Sequence, residues 1–281
     1  MPSRLITTAI LAFWLIMTGW LIQREVVPMM LAEASPTYQP DLTDEIGSPE
    51  IAWRVLRDGK RIGSARSRIL SHDDRTREFH VAYQFSQFTI GLIDVEKIDL
   101  TYRVSEEGKL LALATKFEAN SPVAALLLGQ PRFTAELKGD IVDEELEPFL
   151  IFNGKEKMPD VGKIRFVQKG HFINPMHVLN RVRDLREGQT WTITLPDFKS
   201  SANNQVVGDL IKQVGGPSVL IARVTAGTLS WDQAEVDCHK IEYHEPGKEV
   251  TVQTWVRKLD GLVLQQDTSQ FGFEMVLRRV R

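Results

Sequence analysis

The feature that most constrains this chain is a repeated one: short runs of alternating apolar and polar residues, each closed by a tight-turn signal. Residues 78–86 (EFHVAYQFS) set Phe79, Val81, Tyr83 and Phe85 on one side. Residues 97–104 (KIDLTYRV) do the same with Ile98, Leu100, Tyr102 and Val104. A period of two matches a half-buried strand, whose side chains point alternately to opposite faces. Among the turn signals are Asp58-Gly59, Glu107-Gly108, Pro246-Gly247 and Asp260-Gly261, residue pairs that supply the special backbone angles of tight turns. Asp260-Gly261 reads as a two-residue turn. Further strands are expected at 51–57, 62–70, 110–117, 133–137 and 149–152, the last two separated by Lys138-Gly139-Asp140. After residue 190 come 191–195, 219–224, 227–231, 236–243, 250–257, 262–267 and 271–279.

Helix signals are few. Asn174 suits a cap, Pro175 the first helical position, and Gly188 lies beyond the end. Met176, Leu179, Val182 and Leu185 recur at three-residue spacing and predict an apolar helical stripe. A second short helix is expected over 204–214, with Val207, Leu210 and Ile211 on one face. The fold class that follows is mainly β (α+β). It is a curved antiparallel sheet or half-barrel with one or two short helices, because an antiparallel sheet has one face to bury.

Ahead of this pattern stands an uninterrupted apolar run, residues 5–22 (LITTAILAFWLIMTGWLI), without a charge or a proline. At ~1.5 Å per helical residue it reaches about 27 Å, close to the hydrocarbon thickness of a bilayer. It predicts an N-terminal transmembrane helix. A cleaved signal and a core helix are the alternatives. Against cleavage, the apolar run is long, and the small-x-small sequence Ala32-Glu33-Ala34 lies far beyond it. Pro28, Pro36, Pro40 and Pro49 mark an extended linker. The chain therefore divides into a cytoplasmic tip and anchor (1–27), a proline-rich linker (28–49) and a periplasmic β-rich domain (50–281). The expected location is the cell inner membrane, single-pass, with the C-terminal domain in the periplasm. The short leader and large following domain carry that orientation, since Arg4 ahead of the run and Arg24 after it barely differ.

A net charge of −3 over 281 residues gives no argument for nucleic acid as a partner. A single cysteine, Cys238, rules out an internal disulfide. Cys238-His239 is the tempting catalytic pair. Neighbours on a strand point to opposite faces, however, so they cannot share a proton in regular β structure. His239 and His244 could ligate a metal with Asp237, but a metal needs three or four converging ligands at characteristic spacing and no partner stretch offers them. Asp143-Glu144-Glu145 with Glu147 reads as a solvated charge run. No catalytic residue, metal ligand or cofactor is assigned.

Two apolar stretches stand apart: 122–128 (PVAALLL), with Leu126, Leu127 and Leu128, and 88–93 (FTIGLI), with Phe88 and Ile90. Each is either core packing or an apolar flap over the mouth of a curved sheet. They are the candidate ligand-binding residues. A fainter feature is an echo: Trp53 and Trp255 each precede an Asp-Gly turn by five residues.

The run 254–266 (TWVRKLDGLVLQQ) resembles the final hairpin of half-barrel domains in bacterial envelope proteins. Residues 57–63 (RDGKRIG) and 185–191 (LREGQTW) are similar to segments of the β-rich domains that precede the core of some bacterial transglutaminase-like proteins. The resemblance covers roughly residues 50–280 and implies a curved sheet of the lipoprotein-carrier type, with an apolar concavity and no implied activity. The expected function is a non-catalytic, membrane-tethered periplasmic domain that binds an apolar ligand, a lipid or acyl chain, or an envelope partner protein. The alternatives are a hydrolase or transferase built around Cys238 with His171 or His177, and a purely structural assembly module.

Overall fold

A computed structural model describes residues 49–154, 156–158, 163–165, 168, 177–195, 219–269 and 274–280, together with 13, 14, 16–18 and 20. Those six early residues are helical. No helix among the described residues is long and apolar enough to cross a membrane, a statement that leaves strands aside. Most of the run 5–22, the linker 28–48 and the expected helix at 204–214 lie outside the described residues.

The rest is one antiparallel sheet built from two meanders. The first runs through β1 (Ile51–Arg57), β2 (Lys60–Ser71), β3 (Arg77–Phe85), β4 (Thr89–Ile90), β5 (Ile93–Val104) and β6 (Leu110–Asn120). It continues through a short helix, α1 (Pro122–Leu128), into β7 (Arg132–Val142), β8 (Glu145–Phe152), β9 (Glu156–Met158) and β10 (Ile164–Arg165). The second comprises β11 (Thr190–Thr194), β12 (Val219–Trp231), β13 (Ala234–His244), β14 (Val250–Arg257), β15 (Val263–Thr268) and β16 (Met275–Arg279). In space the order is β10-β8-β7-β6-β5-β3-β2-β1-β16-β15-β14-β13-β12-β11. Each meander follows its own sequence order, apart from β4, which pairs with β5, and β9, which pairs with β8 as β10 does. They are joined where the last strand pairs with the first, Val55 opposite Leu277. The sheet is open and curved, with β10 and β11 at its two ends.

Local chemistry sets the register. Asp58 and Gly59 both have positive φ, the two-residue turn that suits right-twisted strands. Asp143-Glu144 and Asp232-Gln233 make the same turn without glycine. Lys138-Gly139-Asp140 is therefore not a break: β7 runs through it and turns at Asp143. The two strands expected at 219–224 and 227–231 are likewise one strand, β12. Gly227 sits within it because the Trp255 indole lies across it, and a Cβ there would come within 2.9 Å of the ring.

Asp260-Gly261 is not a two-residue turn. Residues 258–261 form a four-residue loop closed by Arg257 N donating to Leu262 O at 2.8 Å. Only Gly261 of that pair has positive φ. The Trp echo dissolves for a related reason. Trp53 is buried on the concave face and donates to Ser67 Oγ, whereas Trp255 packs with Cys238 and Leu264 on the other face.

The expected helix over 175–187 does not form across its described part, which begins at His177. Residues 177–189 make an irregular strap over one end of the sheet. Val263 N donates to Asn180 O at 3.0 Å and Val182 N to Gly261 O at 2.8 Å. Arg279 Nη2 donates to Asn180 Oδ1 at 2.7 Å. A helix would satisfy its own backbone and leave the strand edge at 261–263 bare. The strap satisfies both, and still buries Val178, Leu179 and Val182.

Candidate functional site

The concave face is mostly apolar, with the polar Ser67, Thr254 and Gln266 buried near the seam between the meanders, and it is covered unevenly. In the second meander Trp191, Ala222, Tyr243 and Val252 form one cross-strand row, and all four are buried. Leu220, Val224, Ile241, Val256 and Val263 complete a filled interior beneath the strap. In the first meander, Trp53, Ala65, Tyr83, Ile98, Phe117, Ala135 and Phe152 stand opposite one another from β1 to β8. The first three are buried and the last four are only half-buried. Leu100, Leu137 and Leu150 lie on the same face and are half-buried too. Phe133 and Phe152 stack there at 5.5 Å. The opposite face of these strands is ionic, with Lys97–Asp99 at 2.7 Å, Lys116–Glu118 at 3.5 Å and Lys138–Glu136 at 2.9 Å. Exposed pairs of this kind contribute only about 0–1 kcal/mol each. They identify the solvated face, so the half-buried apolar row belongs to the concave one.

Beyond this row, at the start of β5 and the end of β6, the two apolar stretches stand on adjoining strands. Phe88 is buried and stacks on Phe85 at 4.4 Å. Ile90 is half-buried in β4, which pairs with the start of β5. On β6, Asn120 pairs with Asp94, and Ser121 caps α1 by accepting from Val123 N at 3.2 Å. Pro122 occupies the first turn and Gly129 ends the helix in the left-handed region. Leu126 is 86% exposed, while the side chains of Leu127 and Leu128 lie outside the described residues. Phe88 is thus a packing residue and Leu126 a surface one. Apolar composition made the two stretches look alike; the cap and the hairpin separate them.

Other candidates resolve differently. Cys238 is fully buried among Leu229, Leu264 and their neighbours, and burial pushes its thiol up to about 11. His239 lines a polar concavity of about 390 Å³ with Arg181, Arg183, Arg257, Lys258 and Asp260. Within it Arg257 is held bidentately by Asp260 and Lys258 pairs with Glu187 at 2.7 Å. Burial, with Lys258 nearby, lowers the His239 imidazole. His177, which sequence reasoning offered as a partner for Cys238, is instead wedged edge-on against the stacked rings of Phe79 and Tyr102, at 5.1 and 5.5 Å. It belongs with the concave-face core, and Cys238 with the cluster on the other face. His171 lies outside the described residues. No group of three or more metal-ligating side chains occurs among the described residues.

One polar group escaped sequence reasoning. Asp267 accepts from Trp255 Nε1 at 2.9 Å and from Gln265 Nε2 at 2.8 Å, and Gln265 in turn accepts from Arg278 at 2.9 Å. Burial holds the Asp267 carboxyl above its ordinary range despite those donors. The alternation of β15 is obscured by a bulge between Trp255 and Val256, so its polar residues gave no sign of packing together.

Among solved structures the chain is similar to a beta-barrel-like protein of the domain of unknown function DUF1849 from Brucella abortus. The identity is 8% and the TM-score 0.39, over 83% of this chain and 95% of that one. No protein-family model matches the chain, and no curated protein matches it. The strand pairings themselves define the molecule as one open antiparallel sheet.

Proposed function

We propose that this is a non-catalytic, membrane-tethered domain that holds an acyl chain of a lipid on the concave face of β5 to β8. The observation that carries the reading is the half-buried row Ile98, Phe117, Ala135 and Phe152, flanked by Leu100, Leu137 and Leu150. Apolar side chains left half-covered on the inner face of a curved sheet offer a lipid tail burial that water cannot match. The apolar run 5–22 would hold the domain at the inner membrane and the linker 28–49 would let it range over the periplasmic surface. A hydrolase around Cys238 is disfavoured by the separation of Cys238 from His177 and by a thiol poorly able to ionise. An envelope protein partner, or a purely structural role, would cover the same row with protein.

The deciding experiment is lipid extraction and mass spectrometry of the purified full chain, alongside Leu137→Gln and Phe117→Gln variants. Acyl lipid near one equivalent in the native protein, lost from both variants, is the expected result. Equal lipid in all three would mean that the row is not the binding face.

A further inference from the structure

The end of the sheet that carries α1 is a double tip. β4 folds back on β5 through Gly91, and Asp94 pairs with the residue just ahead of the α1 cap. The two tips thus project from adjoining strands. Leu92 is 66% exposed, Val123 43% and Leu126 86%. Each tip is secured from within, by Phe88 in one and by the buried Ala124 in the other. The exposed leucines are therefore held outward by packed neighbours.

We propose that this double tip is a bilayer contact, placing Leu92, Val123 and Leu126 among lipid acyl chains at headgroup depth. The shape argues for lipid. Tight protein interfaces centre on anchors seated in pockets, whereas Leu92 sits on a tight turn and Val123 and Leu126 on a short helix, exposed shapes that a deformable phase can accept. The charges at the base agree. Arg132 pairs with Glu96 at 2.9 Å and Glu118 at 3.6 Å, Asn120 donates to Glu96 at 2.6 Å, and Thr89 donates to Asp94 at 2.6 Å. With three carboxylates to one guanidinium, the base does not call for an anionic surface, and contact with a zwitterionic one, which carries no net charge, should be insensitive to salt. Three aliphatic side chains bind weakly alone. A tether to the same bilayer raises their effective concentration to about the millimolar range. The apolar run 5–22 and a linker able to extend about 70 Å provide such a tether in the sequence. The inference rests on the acyl-chain reading only in supplying a route between bilayer and concave face.

The test uses the full chain with Cys238→Ser, reconstituted with phosphatidylcholine vesicles. Single cysteines at Leu92, Val123, Leu126 and Leu259 carry an environment-sensitive fluorophore. Leu259 is 87% exposed on the 258–261 loop at the opposite end of the strands and serves as the control. The three tip labels are expected to shift to the blue and to be quenched by spin-labelled lipid, unchanged by added salt, while Leu259→Cys stays in water. Adding Leu92→Glu and Leu126→Glu should abolish lipid quenching of the Val123→Cys label. Equal quenching at both ends overturns the proposal. So does a blue shift without lipid quenching, which would assign the tip to a protein partner or a second copy. Lipid extracted from the same proteins before reconstitution keeps the two readings apart. Bound acyl lipid with an unquenched tip sinks only the bilayer contact; a quenched tip without bound lipid sinks only the carrier reading.

Discussion

The two meanders have the same construction and different fillings. In β11 to β15 the inner face is closed, and Trp191, Ile193, Leu220 and Ile241 are essentially without solvent contact; the strap shares their core and also lays His177 on Phe79 and Tyr102 of β3 and β5. In β5 to β8 the inner residues are as apolar, yet Ile98, Phe117, Leu137 and Leu150 keep part of their surface open. Strand chemistry is shared; the degree of cover makes the difference. An antiparallel sheet fixes which residues face inward, and something else must decide whether that face becomes core or site.

The largest expected effect tests this difference directly. Ile241→Ala removes a fully covered side chain and should cost about 3 kcal/mol, whereas Leu150→Ala at a half-covered site should cost about 1 kcal/mol. Urea denaturation of the two variants checks it, and equal losses would mean that the meanders are equally filled.

The strap supplies the next test. Gly261 has φ +72°, and a Cβ there would lie 2.7 Å from Val182 O, on the strap itself. Gly59 has φ +73° with open space around it. Gly59→Ala should cost about 1 kcal/mol from backbone strain alone. Gly261→Ala should cost more, because it also forces the strap away, and Gly261→Val more again. Thermal melts showing the same midpoint for Gly59→Ala and Gly261→Ala would remove the strap from the account. Glu107→Ala, at an exposed turn position, should be nearly silent.

A pH titration sharpens the same comparison. Burial depresses the His177 imidazole to about 3, from an ordinary value near 6.5. Within that window the unfolded chain binds the extra proton and the folded one does not. His177 therefore costs no stability above pH ~6.5 and progressively more as the pH falls toward ~3, at up to about 1.4 kcal/mol per pH unit. His177→Phe should flatten that part of the profile, and an unchanged slope would place the acid sensitivity elsewhere.

Cys238→Ser should cost about 1 kcal/mol for a buried hydroxyl, with lipid content unaltered. In the native protein the thiol should resist alkylation at pH 8. Rapid modification would show that the Leu229–Leu264 cluster opens readily.

Sequence legibility followed the range of the interactions. β1, β3 and β14 were readable because alternation and turn residues are local, as at Asp58-Gly59. The turns at Asp143-Glu144 and Asp232-Gln233 were not, since neither contains glycine. The strap was misread because three-residue spacing describes any segment that buries one side, helical or irregular; what chose between them was the bare strand edge at 261–263, distant in sequence. The half-open row was legible only as apolar alternation. Its incomplete cover depends on what lies above it, which no strand encodes. Phe88 and Leu126 were singled out together for their apolar stretches, not as one inward and one outward residue.

The pairing of β1 with β16 bears on how the molecule is made. Its partners lie more than 200 positions apart, Trp53 opposite Arg279. During synthesis the first meander can zip up hairpin by hairpin, but the outer edge of β1 stays bare until the final strand arrives. Contacts of such separation form slowly, and an unpaired edge invites mispairing meanwhile. Emerging from a ribosome or a translocation channel, the chain spends that interval as a half-built sheet with its central seam unclosed. A holding factor that shields β1 would shorten the hazard, and aggregation during production should depend more on that seam than on the native stability of either meander.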